Sequence, residues 1–200
     1  RVESSRNFAN KVWNASRFIM MNMEKAPVHE VSLDDLTMAD KWILSKVNTL
    51  AKDVTENLDK FELGIGLQKV YDFIWEEFCD WYIEIVKPRL QDKDDPAANE
   101  NAQKVLCYVL SGTMQLLHPF MPFITETIWQ ALPHEGPSVM VSKWPEYEDA
   151  LHFAVEAEQV ETMMDTIRAI RARRAEMNVP PSKKAQVILL TDKRAAYEAG

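Results

Sequence analysis

The chain has 200 residues, a net charge of −8, 46% hydrophobic residues, 10% aromatics and only five glycines. That length and apolar content suit one large folded domain, or one domain with a small appendage, and exclude a disordered chain. The scarcity of glycine disfavours a turn-rich β fold, no apolar run approaches the ~20 residues of a membrane span, and the acidic balance argues against a general nucleic-acid binder.

In chain order, helical spacing of apolar residues predicts a first helix from about residue 3 to Met23, ahead of Pro27. Ser32 has the character of an N-cap, with Asp34 and Asp35 suited to the positive end of the dipole of a second helix reaching Asp59. A third helix fits Glu62 to Val86 and should stop at Pro88; Gly64 and Gly66 weaken its start or mark a close approach. After the polar stretch QDKDDPAANEN, a fourth helix fits Ala97 to Leu117, broken by His118-Pro119, and Pro122 opens a short fifth helix to Leu132. Amphipathic helices on short connections imply an antiparallel bundle over residues 1–132.

The texture then changes. Residues 133–148 carry four turn-forming Pro and Gly residues and read as an irregular connector. A long helix fits Asp149 to Glu176, ended by Pro180-Pro181, and the Val/Ile/Leu-rich run Gln186 to Leu190 reads as a strand. Residues 149–200 are therefore expected to form part of a small α/β unit, its remainder beyond Gly200. The expected fold class is mainly α.

Charge is unevenly placed. Residues 1–25 carry +3 and residues 166–184 carry +5, which leaves −16 between them. Two basic islands on an acidic body point to localised contact with an anion. On a wheel, Phe8, Val12, Ala15 and Ile19 of the first helix fall together as a core stripe, and Asn7, Asn10, Asn14 and Arg17 form a second stripe nearly opposite. Asparagine is a poor helix former, so three on one stripe cost roughly half a kcal/mol each. A carboxamide offers a donor and an acceptor in one plane, as an unstacked base edge requires; capping and helix–helix hydrogen bonds are the competing use. Phe18 and Trp13 flank the stripe and could stack, or could pack in the core. In the second island, Arg168, Arg171, Arg173 and Arg174 end a helix, where cations also suit the dipole, and Lys183 and Lys184 extend the patch.

Recognisable chemistry is missing. The four histidines do not make metal-ligand spacing with Cys79 or Cys107, which read as buried reduced thiols. There is no Gly-rich phosphate loop and no nucleophile motif, so no catalytic residue is assigned.

The segments RNFANKVWNASRF (6–18), EEFCDWYIEIVKPRL (76–90), LHPFMPFITETIWQ (117–130) and IRAIRARRAEMNVPPSKK (167–184) together resemble bacterial-type valyl-tRNA synthetases, a family of class I aminoacyl-tRNA synthetases. The resemblance implies that 1–132 is the bundle that binds the tRNA anticodon stem-loop and that 149–200 belongs to a junction unit, with a coiled coil beyond it. It implies that the helix carrying 6–18 lies at the anticodon, where the wheel offers Asn7, Asn10, Asn14, Arg17 and Phe18 as tRNA contacts; position and charge add Lys87 and Arg89 as a second wall, and the second basic island adds Arg171, Arg174, Lys183 and Lys184. The partners it implies are a valine-accepting tRNA and the rest of the synthetase. ATP and magnesium would act in other parts of that parent, since the HIGH and KMSKS signatures and the editing domain do not occur in this sequence. A cytoplasmic monomer without membrane contact is expected. Two alternatives remain open: the equivalent bundle of an isoleucyl- or leucyl-tRNA synthetase, and a helical protein–protein module, for which the acidic middle and the Met-rich runs IMMNM and ETMMD speak.

Overall fold

In the computed structural model, residues 2–23, 31, 33–92, 94–180 and 182–198 are described. Ser32, Pro27 and Pro181, invoked above, lie outside them, as do Arg1 and Lys25 of the first basic island. The elements in order are α1 (Val2–Asn22), α2 (Met38–Asp59), α3 (Leu63–Asp72), a π-helical segment (Phe73–Tyr82), α4 (Ile83–Gln91), α5 (Pro96–Leu117), α6 (Pro122–Trp129), 3-10 turns at Val139–Val141 and Asp149–Leu151, α7 (Ala154–Glu176) and α8 (Arg194–Glu198).

The core stripe of α1 is as the wheel requires. Phe8, Val12 and Ile19 are buried and Ala15 is half-buried. They join Ile43, Val47 and Val54 of α2, Phe78 and Tyr82 of the π segment, and Leu106 and Leu110 of α5 in one apolar core. Such burial is the main favourable term holding the bundle together, at about 25 cal/mol per Å² of apolar surface.

Helix α2 begins at Met38, later than the Asp34 and Asp35 signal suggests. Thr37 is the N-cap: its Oγ1 accepts from the Asp40 backbone N–H at 3.2 Å, and the Asp40 carboxylate accepts from the Thr37 N–H at 2.9 Å. This is a reciprocal capping box with aspartate in the acidic position.

The third predicted helix continues past Pro88 to Gln91. Proline removes the bond to the Glu84 carbonyl, but Glu84 and Pro88 both lie on the exposed face, where an unpaired carbonyl costs little. Beyond the proline the last turn is pinned from outside. Asn99 Nδ2 donates to the Arg89 and Leu90 carbonyls at 3.1 and 2.9 Å, and Arg89 Nη1 donates to both oxygens of buried Asp40 at 2.8 and 2.9 Å. Gly64 faces open space and a Cβ on Gly66 would make only ordinary contacts, so neither glycine is a close-approach point.

The π segment has no counterpart in the sequence reading. Residues five apart on an α-helix stand about 140° from each other; i→i+5 bonding brings them nearly into line. Phe73 and Phe78 stack at 6.2 Å with an interplanar angle of 7°. Trp75 and Asp80 likewise meet one partner, Lys11 of α1, whose Nζ lies 3.9 Å from the Trp75 ring centroid and 2.6 Å from Asp80 Oδ1.

Helix α7 starts at Ala154, five residues after the predicted Asp149, and packs on α2. Lys41 pairs with Glu156 at 2.9 Å and Lys46 with Glu161 at 3.0 Å. The connector is tied to the same helix, with Asn48 bonded to the Glu148 backbone and Ser45 to Leu151 and Phe153. The expected strand at Gln186–Leu190 is absent, and no strand occurs among the described residues. A strand exists only with a ladder partner, and these residues have none; Leu190 is 96% exposed. The α/β unit is thus not evident. Instead α8 returns to α7, where Tyr197 Oη and Thr166 Oγ1 lie 2.6 Å apart.

Candidate nucleic-acid interface

Helix α1 lies parallel to the continuous α3–π–α4 helix. Phe8 stacks on Tyr71 at 4.5 Å near one end, Lys11 meets Trp75 and Asp80, and Lys87 stands 5.6 Å over the Phe18 ring near the other. Between the two helices runs an open groove of about 520 Å³. Asn7, Asn10 and Asn14 line one wall, Lys11, Ala15 and Phe18 the floor, and Cys79, Asp80, Ile83, Glu84 and Lys87 the other wall.

All three asparagines are exposed, and among the described residues none of their amides has a hydrogen-bond partner. The competing use of the stripe, bracing a neighbouring helix, is therefore not realised there. Three planar donor–acceptor groups are left on solvent at a cost in helix propensity. Phe18 is half-buried because it lies on the edge between the asparagine stripe and the core stripe; its ring is held from below and faces Lys87.

The groove is close to neutral. Lys11 is neutralised by Asp80, and Lys87 by Glu84. Cys79 in its wall is pushed up to about 12 by burial, opposed by Lys11, and so is a protonated, unreactive thiol. A neutral cleft lined with amides and one aromatic ring suits an unstacked base edge better than a phosphate. Positive charge without an ion-pair partner among the described residues lies on the outer shoulder of α1. Arg6 and Arg17 are both exposed and have no ion-pair partner among the described residues, and they stand eleven residues apart, about 16 Å along the axis. Exposed Trp13 lies on the wheel next to both.

Arg17 is thus not in the groove lining but on its shoulder. Arg89 does not reach the groove: it turns to the opposite flank of α4, into the pair with Asp40, and also donates to the Ala98 carbonyl at 3.3 Å. It is a scaffold cation there, and the second wall is supplied by Lys87 alone of the two. The second basic island is likewise outside the groove. Arg168 and Arg171 sit over the Trp81 ring at 5.2 and 5.4 Å, on that same opposite flank. Arg174 Nη2 donates to the carbonyls of Pro180 and Lys183 at 2.8 and 2.7 Å, fastening the turn after α7. Lys183 and Lys184 are exposed beside it. Lys11, Asp80, Trp75 and Arg6 were not assigned to the site from sequence; Lys11 and Arg6 entered only through the charge of the first island, and Trp75 and Asp80, five apart, fall on different sides of an α-wheel, so their spacing gave no signal.

The anticodon-binding domain of tRNA ligase matches residues 40–189, three quarters of the chain. The chain belongs to this family. The anticodon-binding-domain match starts inside α2, so α1 is covered not by it but by whole-chain relatives. A valine–tRNA ligase of Clostridium acetobutylicum is 50% identical over all of this chain and 23% of its own length. One from Carboxydothermus hydrogenoformans is 49% identical over 96% of the chain and 22% of its own length, and one from Clostridium perfringens 50% over 98% and 22%. The chain thus spans under a quarter of the curated relatives it matches.

Proposed function

We propose that this domain recognises the anticodon stem-loop of a valine-accepting tRNA as one part of a valine–tRNA ligase. The observation that carries the reading is the row of unpartnered amides of Asn7, Asn10 and Asn14 along a neutral groove floored by Phe18. Anticodon bases splayed from the loop would present their edges to these amides, with one base stacked on Phe18. The loop backbone would follow Arg6 and Arg17 along the shoulder. Backbone contacts position the RNA, and base-edge contacts discriminate. Held in this way, the tRNA would direct its acceptor end to an aminoacylation site elsewhere in the parent, which joins valine to tRNA.

ATP and magnesium would act at that distant site. No residue of this chain is assigned to either, since the sequence has no Gly-rich phosphate loop. No described helix is long and apolar enough to cross a membrane. We further take the parent to be a cytoplasmic, monomeric enzyme.

Titrating the domain with valine, isoleucine and leucine anticodon stem-loops tests the reading. The expected result is tightest binding to the valine loop, with NMR shift changes concentrated in α1. Arg17→Ala should lower the slope of log K against log salt by about one, as one lost phosphate contact requires. No shift change in α1, or salt-independent binding, would remove the proposal and favour a protein–protein module.

A further inference from the structure

The flank of the bundle opposite the asparagine groove carries an apolar cleft of about 470 Å³, where the start of α2, the π–α4 helix and α7 meet. Helix α7 lines it with Val160, Met163, Met164 and Ile167, which recur at helical spacing on one face. They include both methionines of the ETMMD run. Trp81 and Ile85 form the facing wall, and Met38 and Ala39 the end beside α2. Val160 and Met164 are buried, while Ile85 and Ile167 are 40% and 38% exposed, so both floor and lips are apolar. The volume falls within the roughly 300–1,000 Å³ of small-molecule sites, which are mostly apolar with a few placed polar groups. Methionine side chains adapt their shape to irregular apolar ligands.

The charged groups at the cleft select its ligand. The charge of Arg89, in the wall, is matched by Asp40, and that of Arg168 by Asp165 at 2.8 Å. Arg171 is exposed, has no ion-pair partner among the described residues, and lies 5.4 Å over the Trp81 ring that lines the cleft. It follows Ile167 by four residues, so it continues the lining face by one turn. A guanidinium stacked on a ring keeps its in-plane N–H fork free for a carboxylate. Among the described residues no carboxylate lines the cleft. An apolar cleft beside one unmatched guanidinium is complementary to an apolar anion, whereas a neutral or cationic ligand would leave Arg171 unmatched. We propose that the cleft between α2, the π–α4 helix and α7 binds a small apolar carboxylate, its chain against Met163, Met164 and Trp81 and its carboxylate on Arg171. This site is separate from the anticodon groove and does not depend on which RNA that groove takes.

NMR of methyl-labelled methionine in the full-length ligase and in the 200-residue chain tests it, with decanoate, decanol and decylamine as probes below their micellar range. Decanoate should shift Met38, Met163 and Met164 saturably in both proteins, while Met114, buried in the core on α5, stays still. It should bind several-fold tighter than decanol, with decylamine the weakest. Arg171→Gln should lower decanoate affinity roughly tenfold, as a lost charge-assisted bond requires, and leave decanol affinity and the thermal midpoint unchanged. Absence of saturable shifts, equal affinity for the three probes, or unchanged decanoate binding in Arg171→Gln overturns the proposal. Shifts that include Met114 also overturn it, since they would mean that the amphiphile loosens the core. Binding by the 200-residue chain alone would mean that another part of the parent covers the cleft, and displacement of decanoate by tRNA would mean that RNA occupies it; either overturns it.

Discussion

Replacing Arg89 with methionine separates scaffold from contact at a residue whose charge alone suggested RNA binding. Asp40 has no exposed surface, and its carboxylate takes two bonds from Arg89 Nη1, one from Tyr82 Oη at 2.6 Å and one from the Thr37 N–H. Arg89→Met keeps the apolar stem but strands the buried charge. Breaking such a pair from one side costs roughly 3–5 kcal/mol. Tyr82 and Thr37 still solvate the carboxylate and Arg89 is partly exposed, so the low end applies, about 3 kcal/mol, or a fall of roughly 6–12 °C in midpoint for a chain of this size. Adding Asp40→Asn removes the stranded charge and should recover most of that loss. Calorimetry of the single and double variants reads both values, and stem-loop titration below the melting range should show wild-type affinity for Arg89→Met. A double variant no more stable than the single one, or an Arg89→Met protein of full stability with lost RNA binding, would refute the reasoning.

Two further outcomes follow from burial. Phe8→Ala removes a ring buried in the core and stacked on Tyr71, and should cost about 3–5 kcal/mol in denaturant melts while leaving stem-loop affinity of the folded fraction intact. Burial pushes Cys79 up to about 12 and Cys107 to about 11, so both thiols stay protonated at pH 8; native alkylation should be slow at both and rapid only in denaturant, and fast native reaction at Cys79 would contradict the packing of the groove wall.

The parts legible from sequence are those set by one helix. The α1 wheel separated Phe8, Val12 and Ile19 from Asn7, Asn10 and Asn14 because burial follows a 3.6-residue period there. The features that were not legible depend on pairs of elements. Lys87 and Arg89 have the same charge, and because the helix runs past Pro88 they stand about 200° apart on it, one toward the groove and the other toward Asp40 of α2; ending the helix at Pro88 hid that separation. The π segment shifts the phase of the Phe73–Tyr82 face, so an α-wheel places Trp75 and Asp80 on different sides. Pro88 did not stop its helix because it lies with Glu84 on the exposed face and Asn99 and Arg89 hold the turn beyond it. Gln186–Leu190 has strand composition, yet composition cannot supply a ladder partner. The capping box at Thr37 and Asp40 was legible in principle, but the acidic pair Asp34-Asp35 upstream gave a competing signal.

The most direct test of the central claim is the affinity of the domain for the valine anticodon stem-loop before and after Asn10→Ala and Asn14→Ala. Each lost base-edge contact is worth about 1–3 kcal/mol. The account predicts weaker binding at each variant by roughly that energy, a narrower preference for the valine loop over the isoleucine loop, and no loss of thermal stability, since neither amide is bonded within the described fold. Unchanged affinity and selectivity in both variants, with the protein folded, would contradict it.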